Sequence, residues 1–312
     1  MVTAARRIDA LDGLRAISVL VVILSHLGLH SSIKLDYSGS FLDQPLFRVS
    51  QWAVYCFFVI SGFVITRGLI AEHERAGAIS IAGFFIRRAF RILPPLALYL
   101  VALKALAMGG LIAVPDRDLA VAAAFACNLG DLGIVCDNWF LGHMWSLSFE
   151  EQFYLVFPFV FAFAIKGGLT GRLCAGVTLA GVMVATRIAA GEIYFPLRGF
   201  VIIGLGVIAA FHEGTIRKVF AWLKLPGALG SALSWPPLVA IGQMSYGLYL
   251  WQQLACYPLP GAGYGFYALA LAACFGWCWL SFRFFEQPLT RLGARLAGRR
   301  QAAVGSAVKL GG

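Results

Sequence analysis

Apolar residues along this chain gather into runs of about twenty, the length of helix that crosses a hydrocarbon layer of about 30 Å. Eight such runs stand out, at residues 14–32, 50–70, 90–112, 143–165, 173–191, 197–213, 236–256 and 264–284. Two further segments are apolar but short or broken. Asp118–Gly130 is rich in alanine, and Leu225–Pro236 is interrupted by glycine and proline. Each reads as re-entrant, interfacial or half of a compressed hairpin. The pattern predicts an all-α, polytopic transmembrane bundle of eight to ten spans.

Composition agrees with this reading. Of 312 residues, 60% are hydrophobic and 13% charged, against about 25% charged in soluble domains; mean hydropathy is +0.80. Arg6 and Arg7 precede the first run as in a secretory leader, but Asp12, Arg15 and His26 interrupt it and no small-residue cleavage site follows. The segment reads as a retained span.

The formal charge of +10 raises nucleic acid as a partner. Its distribution gives another explanation. With the N-terminus inside, 19 of the 25 basic residues fall on inner segments, among them Arg67, Arg75, Lys166, Arg217, Lys218 and a basic stretch from Arg291. Asp36, Asp43, Asp116, Asp118, Asp131, Asp137 and Glu192 fall on outer ones. This positive-inside bias predicts cytoplasmic termini and a lipid bilayer, with no nucleic acid partner. It divides the chain into a membrane domain, residues 1–290, and a short basic cytoplasmic tail, 291–312. The seven cysteines show no metal-ligand spacing, and no metal is expected; Cys127 and Cys136 share an outer loop in which a disulfide can form.

Ionisable groups inside spans cost roughly 2.5–3.5 kcal/mol at mid-helix and mark function. Three groups qualify. In the first span, Arg15 and His26 lie eleven positions apart, within about 20° on one helix face and about 16 Å along it; Asp12 can pair with Arg15. Imidazole suits proton removal near neutral pH, or equally a hydrogen bond that ties helices together. In IRRAFRILPP, Arg87, Arg88 and Arg91 gather within one turn, which suits phosphates or a cytoplasmic anchor. In HMWSLSFEEQFYLVFP, Glu150 and Glu151 adjoin Ser148 and Tyr154 at helical spacing. His143, Trp145 and Ser146 are expected at an outer mouth, where they suit a sugar; interfacial anchoring and an ion pair between spans are the structural alternative. Ser61, in SGF, permits close helix approach. Tyr246, in SYGLYLW, adds a hydroxyl, and Glu286 follows the last span.

In this order, LDGLRAISVLVVILSH, FFVISGFVITRGL, FIRRAFRILPP, HMWSLSFEEQFYLVFP, SYGLYLW and FRFFEQP resemble acyltransferase family 3, the integral-membrane acyltransferases that include bacterial O-antigen acetylases. The resemblance implies acetyl-CoA or another short acyl-CoA as donor. It implies as acceptor a carbohydrate or glycosylated hydroxyl, such as that of a surface polysaccharide, and as location a bacterial inner membrane. By matching position, His26 would be the essential residue of the first span. Arg87, Arg88 and Arg91 would bind the donor, and Glu150 and Glu151 would form the signature of the fourth span. His26 would act as general base, oriented by Glu150 or Glu151, or would carry the acyl group itself. Gln252 stands where many members have histidine after the YLW motif, which puts catalytic duty at that position in doubt. The chain is also shorter than many members, with the shortening expected between Glu192 and Trp235. The rival reading is a transporter or flippase for a sugar or lipid-linked intermediate, which polar groups on several spans fit equally well.

Overall fold

In the computed structural model the described residues are 8–30, 45–129, 134–166, 195–222 and 226–310. The predicted span at 173–191 lies outside them, as do Arg6, Arg7 and Glu192. Among the described residues the regular structure is helical apart from one small hairpin. Its elements are α1 (Asp9–His30), α2 (Pro45–Ala76), α3 (Ile81–Met108), α4 (Asp116–Ala123), β1 (Asn128–Leu129), β2 (Ile134–Val135), α5 (Met144–Lys166), α6 (Phe195–Phe211), α7 (Glu213–Trp222), α8 (Pro226–Leu233), α9 (Pro236–Gln243), α10 (Ser245–Ala255) and α11 (Tyr264–Ser281). A π-helical turn, Phe282–Glu286, then joins α11 to α12 (Gln287–Leu310).

Among the described residues, five stretches are long and apolar enough to cross a membrane: Asp9–Leu27, Val49–Ala76, Ile81–Met108, Met144–Ile165 and Tyr264–Gln301. Their outward faces are apolar. Leu155, Val156, Phe159 and Phe163 of α5, and Leu269, Trp279 and Leu280 of α11, are exposed, while Phe157, Phe161, Cys274 and Cys278 point inward. In water such faces would associate; in lipid they are solvated. The protein is a membrane protein.

Close helix crossings set the frame. On α2 a Cβ at Gly62 would lie 2.1 Å from the Ile203 carbonyl oxygen, and on α6 one at Gly206 would lie 2.0 Å from that of Val59. The SGF motif thus does what its small residues suggest. Gly242 similarly lets α9 meet the backbone of Asp12 on α1.

Three segments differ from their predicted shapes. The third span starts at Ile81, because Ser80 caps it: the Ser80 hydroxyl accepts from Gly83 N at 3.1 Å. The arginine trio therefore lies within a helix rather than at its mouth. The run 236–256 bends at Met244 (φ −96°, ψ 11°), which divides it into α9 and α10. The alanine-rich segment becomes α4 followed by the β1–β2 hairpin, closed by a Cys127–Cys136 disulfide. Residues 291–310 continue α12, whose Gly293 abuts Phe90 of α3 and whose Ala297 is fully buried.

Candidate functional site

Two cavities share Arg15, Arg91 and Tyr246 in their walls. The larger, about 570 Å³, is also lined by Asp12, Arg67, Gln243, Glu286, Thr290 and Arg291. That volume is typical of sites for small organic ligands, roughly 300–1,000 Å³. Arg67 is held by Glu213 of α7 at 2.9 Å, and Asp12 lies 3.7 Å from Arg15, the pairing expected from their spacing. The π-helical turn, which adds a residue to the helical register, carries Glu286 into this wall. Four guanidinium groups thus face one vestibule with two carboxylates.

The smaller cavity, about 80 Å³, is also lined by Ser61, Arg88, Ser146, Glu150, Tyr154, Ser245 and Tyr249 with Val54, Phe57 and Phe58. Tyr154 donates to Glu150 Oε2 at 2.7 Å, and Arg88 stacks over the Tyr154 ring, its Cζ 4.5 Å from the centroid. On α3, Pro94 and Pro95 remove the backbone donors that would pair with the carbonyls of Phe90 and Arg91. The helix ladder is therefore open beside the point where Arg91 meets both cavities.

His26 does not line either cavity. Its Nδ1 lies 2.9 Å from Oε1 of the fully buried Gln252, and its ring meets the edge of Trp139, centroids 5.9 Å apart. Trp139 is itself fixed, donating to the Gln253 carbonyl at 2.9 Å. Phe57 and Tyr249 line the smaller cavity and also pack in the cluster that contains Ile23, Leu27 and Trp139. Tyr249 donates to the His143 carbonyl at 3.1 Å, and its hydroxyl lies 2.7 Å from that of Ser146. The expectation that His26, the arginines and the glutamates share one chamber is thus met only in part.

The other predicted residues divide. Asp12, Arg15, Ser61, Arg88, Arg91, Ser146, Glu150, Tyr154 and Tyr246 face the cavities. Arg87 does not: it pairs with the buried Glu72 at 2.6 Å, and Glu72 also accepts from Ser80 N at 2.8 Å, so these groups clamp the α2–α3 turn. Glu151 faces neither cavity, since adjacent helical residues point about 100° apart; its Oε1 is buried without a partner among the described residues. Neither glutamate is bonded to His26, whose Nδ1 is taken by Gln252. His143 is buried rather than at a mouth, edge-on to Tyr99 and Tyr249. Trp145, on the same first turn of α5, packs against Phe58 and Phe149. Ser148 points away from the chamber, accepting from Cys127 N at 3.2 Å and donating to the Met144 carbonyl, so it braces the disulfide loop. Sequence reasoning passed over Phe57, Tyr249 and Trp139 and discounted Gln252. Two adjacent amides, Gln252 and Gln253, in an apolar run were the available signal.

The architecture defines a membrane-embedded protein with a cationic vestibule beside a smaller cavity lined by Arg88, Glu150 and Tyr154. The particular class follows from likeness to known proteins: residues 8–235 match the family model described as an acyltransferase domain, and the chain belongs to acyltransferase family 3. It is similar to a protein of Staphylococcus aureus strain COL whose naming as an O-acetyltransferase is itself provisional, 36% identical over 166 residues, or 50% of this chain and 25% of that one. It is also similar to the O-acetyltransferase OatA of Staphylococcus aureus strain NCTC 8325, 27% identical over 269 residues, or 78% of this chain and 42% of that one. The chain thus spans less than half the length of these relatives. No solved structure matches it significantly.

Proposed function

We propose that the protein is an O-acyltransferase that moves an acetyl or other short acyl group from acyl-CoA to a hydroxyl of a sugar-containing acceptor. It does so in a bacterial inner membrane, with eight to ten spans and both termini in the cytoplasm. The observation that carries this reading is a cationic vestibule that shares Arg15, Arg91 and Tyr246 with a chamber lined by Glu150, Phe57 and Tyr249, the last two packed in one cluster with Leu27, the chain neighbour of His26. Guanidinium groups bind phosphate bidentately, and Arg67, Arg91 and Arg291 supply them where the nucleotide end of the donor would rest. The flexible arm then runs past Arg88, Glu150 and Tyr154. Rotation of Tyr249 brings the thioester to His26, and the acceptor hydroxyl reaches the same point.

His26 removes the hydroxyl proton as the oxygen attacks the thioester carbon. The C–O bond forms, the C–S bond breaks, and the departing thiolate recovers the proton from the imidazolium as free CoA thiol. Charge thus balances within the site. A membrane preparation should consume acetyl-CoA and release thiol only with acceptor present, and His26→Gln should abolish this. A His26→Gln protein that inserts normally and still acylates would end the proposal. Acceptor flux without thiol release would instead identify a transporter.

A further inference from the structure

We infer that Val54 and Phe58 set the length of the acyl group the protein accepts; this rests on the acyl-CoA reading above. The two cavities that share Arg15, Arg91 and Tyr246 differ widely in volume, about 570 and about 80 Å³. Only the larger has room for a nucleotide with its phosphates. The smaller is left for the other end of the donor, the acyl group. A cavity of about 150 Å³ lined by apolar side chains admits benzene, with its six carbons. On that scale the smaller cavity, about 80 Å³, admits roughly three carbons. Acetyl has two and butyryl four.

The apolar part of this cavity comes chiefly from one face of α2. Val54, Phe57, Phe58 and Ser61 line it at the i, i+3, i+4, i+7 spacing of a helix stripe. Phe57 leans on Tyr249, centroids 6.2 Å apart, and packs with the cluster on the His26 side. Val54 and Phe58 instead belong to a buried cluster with Phe149 and Ile203. The Phe58 ring meets Trp145 and Phe149 edge-on, centroids 6.1 Å away in both cases. Behind this face α2 has no space to draw back, because its backbone at Val59 and Gly62 already abuts Gly206 and Ile203 of α6. The tyrosine hydroxyls of the cavity are turned to protein partners: Tyr154 to Glu150, Tyr246 to the Ile92 carbonyl at 3.1 Å, and Tyr249 to the His143 carbonyl. Apart from the Ser61 hydroxyl, α2 thus offers the donor a fixed hydrocarbon surface. Such a surface receives a methyl group, and a close-packed wall does not yield to added methylenes.

The test measures thiol release in membranes from acetyl-, butyryl- and hexanoyl-CoA, with the envelope fraction of the native host as acceptor, and compares kcat/KM between donors. A variant that folds poorly loses rate with every donor alike, so the ratio between donors reports the cavity. The full-length parent should favour acetyl-CoA over butyryl-CoA by at least about 10-fold, the discrimination that an unaccommodated methylene gives. Phe58→Leu and Val54→Ala should each raise the butyryl-to-acetyl ratio about 5- to 10-fold. Phe161→Leu, which trims a buried ring of α5 outside the cavity, should leave the ratio unchanged. Equal rates with all three donors in the parent would overturn the inference and leave the acyltransferase reading standing. So would a ratio unmoved by Phe58→Leu and Val54→Ala, or moved as far by Phe161→Leu. If the enlarging variants fail to insert, Val54→Ile narrows the cavity instead: butyryl-CoA should lose more rate than acetyl-CoA, and equal losses would overturn the inference. A parent that releases no thiol from any donor would remove the underlying function.

Discussion

Arg87, Arg88 and Arg91 stand in one short motif, yet the structure gives them different work, and substitution should separate them. Arg87→Ala removes the partner of Glu72, whose side chain is 4% exposed, while Arg87 itself is 34% exposed. Stranding a fully buried carboxylate costs about 3–5 kcal/mol, and a surface pair contributes up to about 1 kcal/mol. This pair lies between, and Glu72 keeps its bond from Ser80 N, so the expected loss is about 1–3 kcal/mol. Melting in detergent, followed by size-exclusion recovery after heating, should shift by several degrees, with KM for acetyl-CoA unchanged. Arg91→Ala should do the opposite. One charged hydrogen bond to phosphate contributes about 1.5–3 kcal/mol, so KM should rise roughly 10- to 150-fold at nearly constant melting temperature. Arg87→Ala raising KM tenfold without loss of stability would refute the division.

Other consequences are equally direct. Tyr249→Phe deletes the hydrogen bonds that hold the wall to His143 and Ser146, together about 1–3 kcal/mol. Thiol release without acceptor should rise several-fold, and an unchanged rate would show that the wall does not gate the chamber. Gly206→Val forces a side chain within 2.0 Å of the Val59 carbonyl oxygen and should destabilise the protein by about 1–3 kcal/mol, lowering its melting temperature; a normal melt would mean that α2 and α6 do not cross so closely. Cys136→Ser opens the nine-residue interval closed by the disulfide, with an expected loss of about 2.5–3 kcal/mol from the loop-closure term. Mass spectrometry after alkylation should find Cys127 and Cys136 blocked before reduction and labelled after it.

What the sequence made legible was local and periodic. Runs of apolar residues marked α1, α2, α3, α5 and α11, because a helix must satisfy its own backbone in lipid whatever its neighbours do. The Asp12–Arg15 pair and the Glu150–Tyr154 turn follow from the 3.6-residue period alone. What stayed hidden was the choice of partner between segments distant along the chain. Arg87 looks like its two neighbours until Glu72, fifteen residues earlier, claims it. Met244 carries no proline or glycine to announce a bend, which arises where α9 is drawn against Asp12 by the bare backbone at Gly242. Gln252 lies 226 residues from His26 and looked like the loss of a proton-relaying histidine. In the fold its amide oxygen lies against Nδ1 of that imidazole. A relay needs a group that both takes and gives a proton, whereas tying two helices together needs only a hydrogen-bonding atom, which an amide supplies. A departure from a family pattern therefore identifies lost chemistry only when the residue would have exchanged the proton itself; where it merely holds a partner, several side chains can serve.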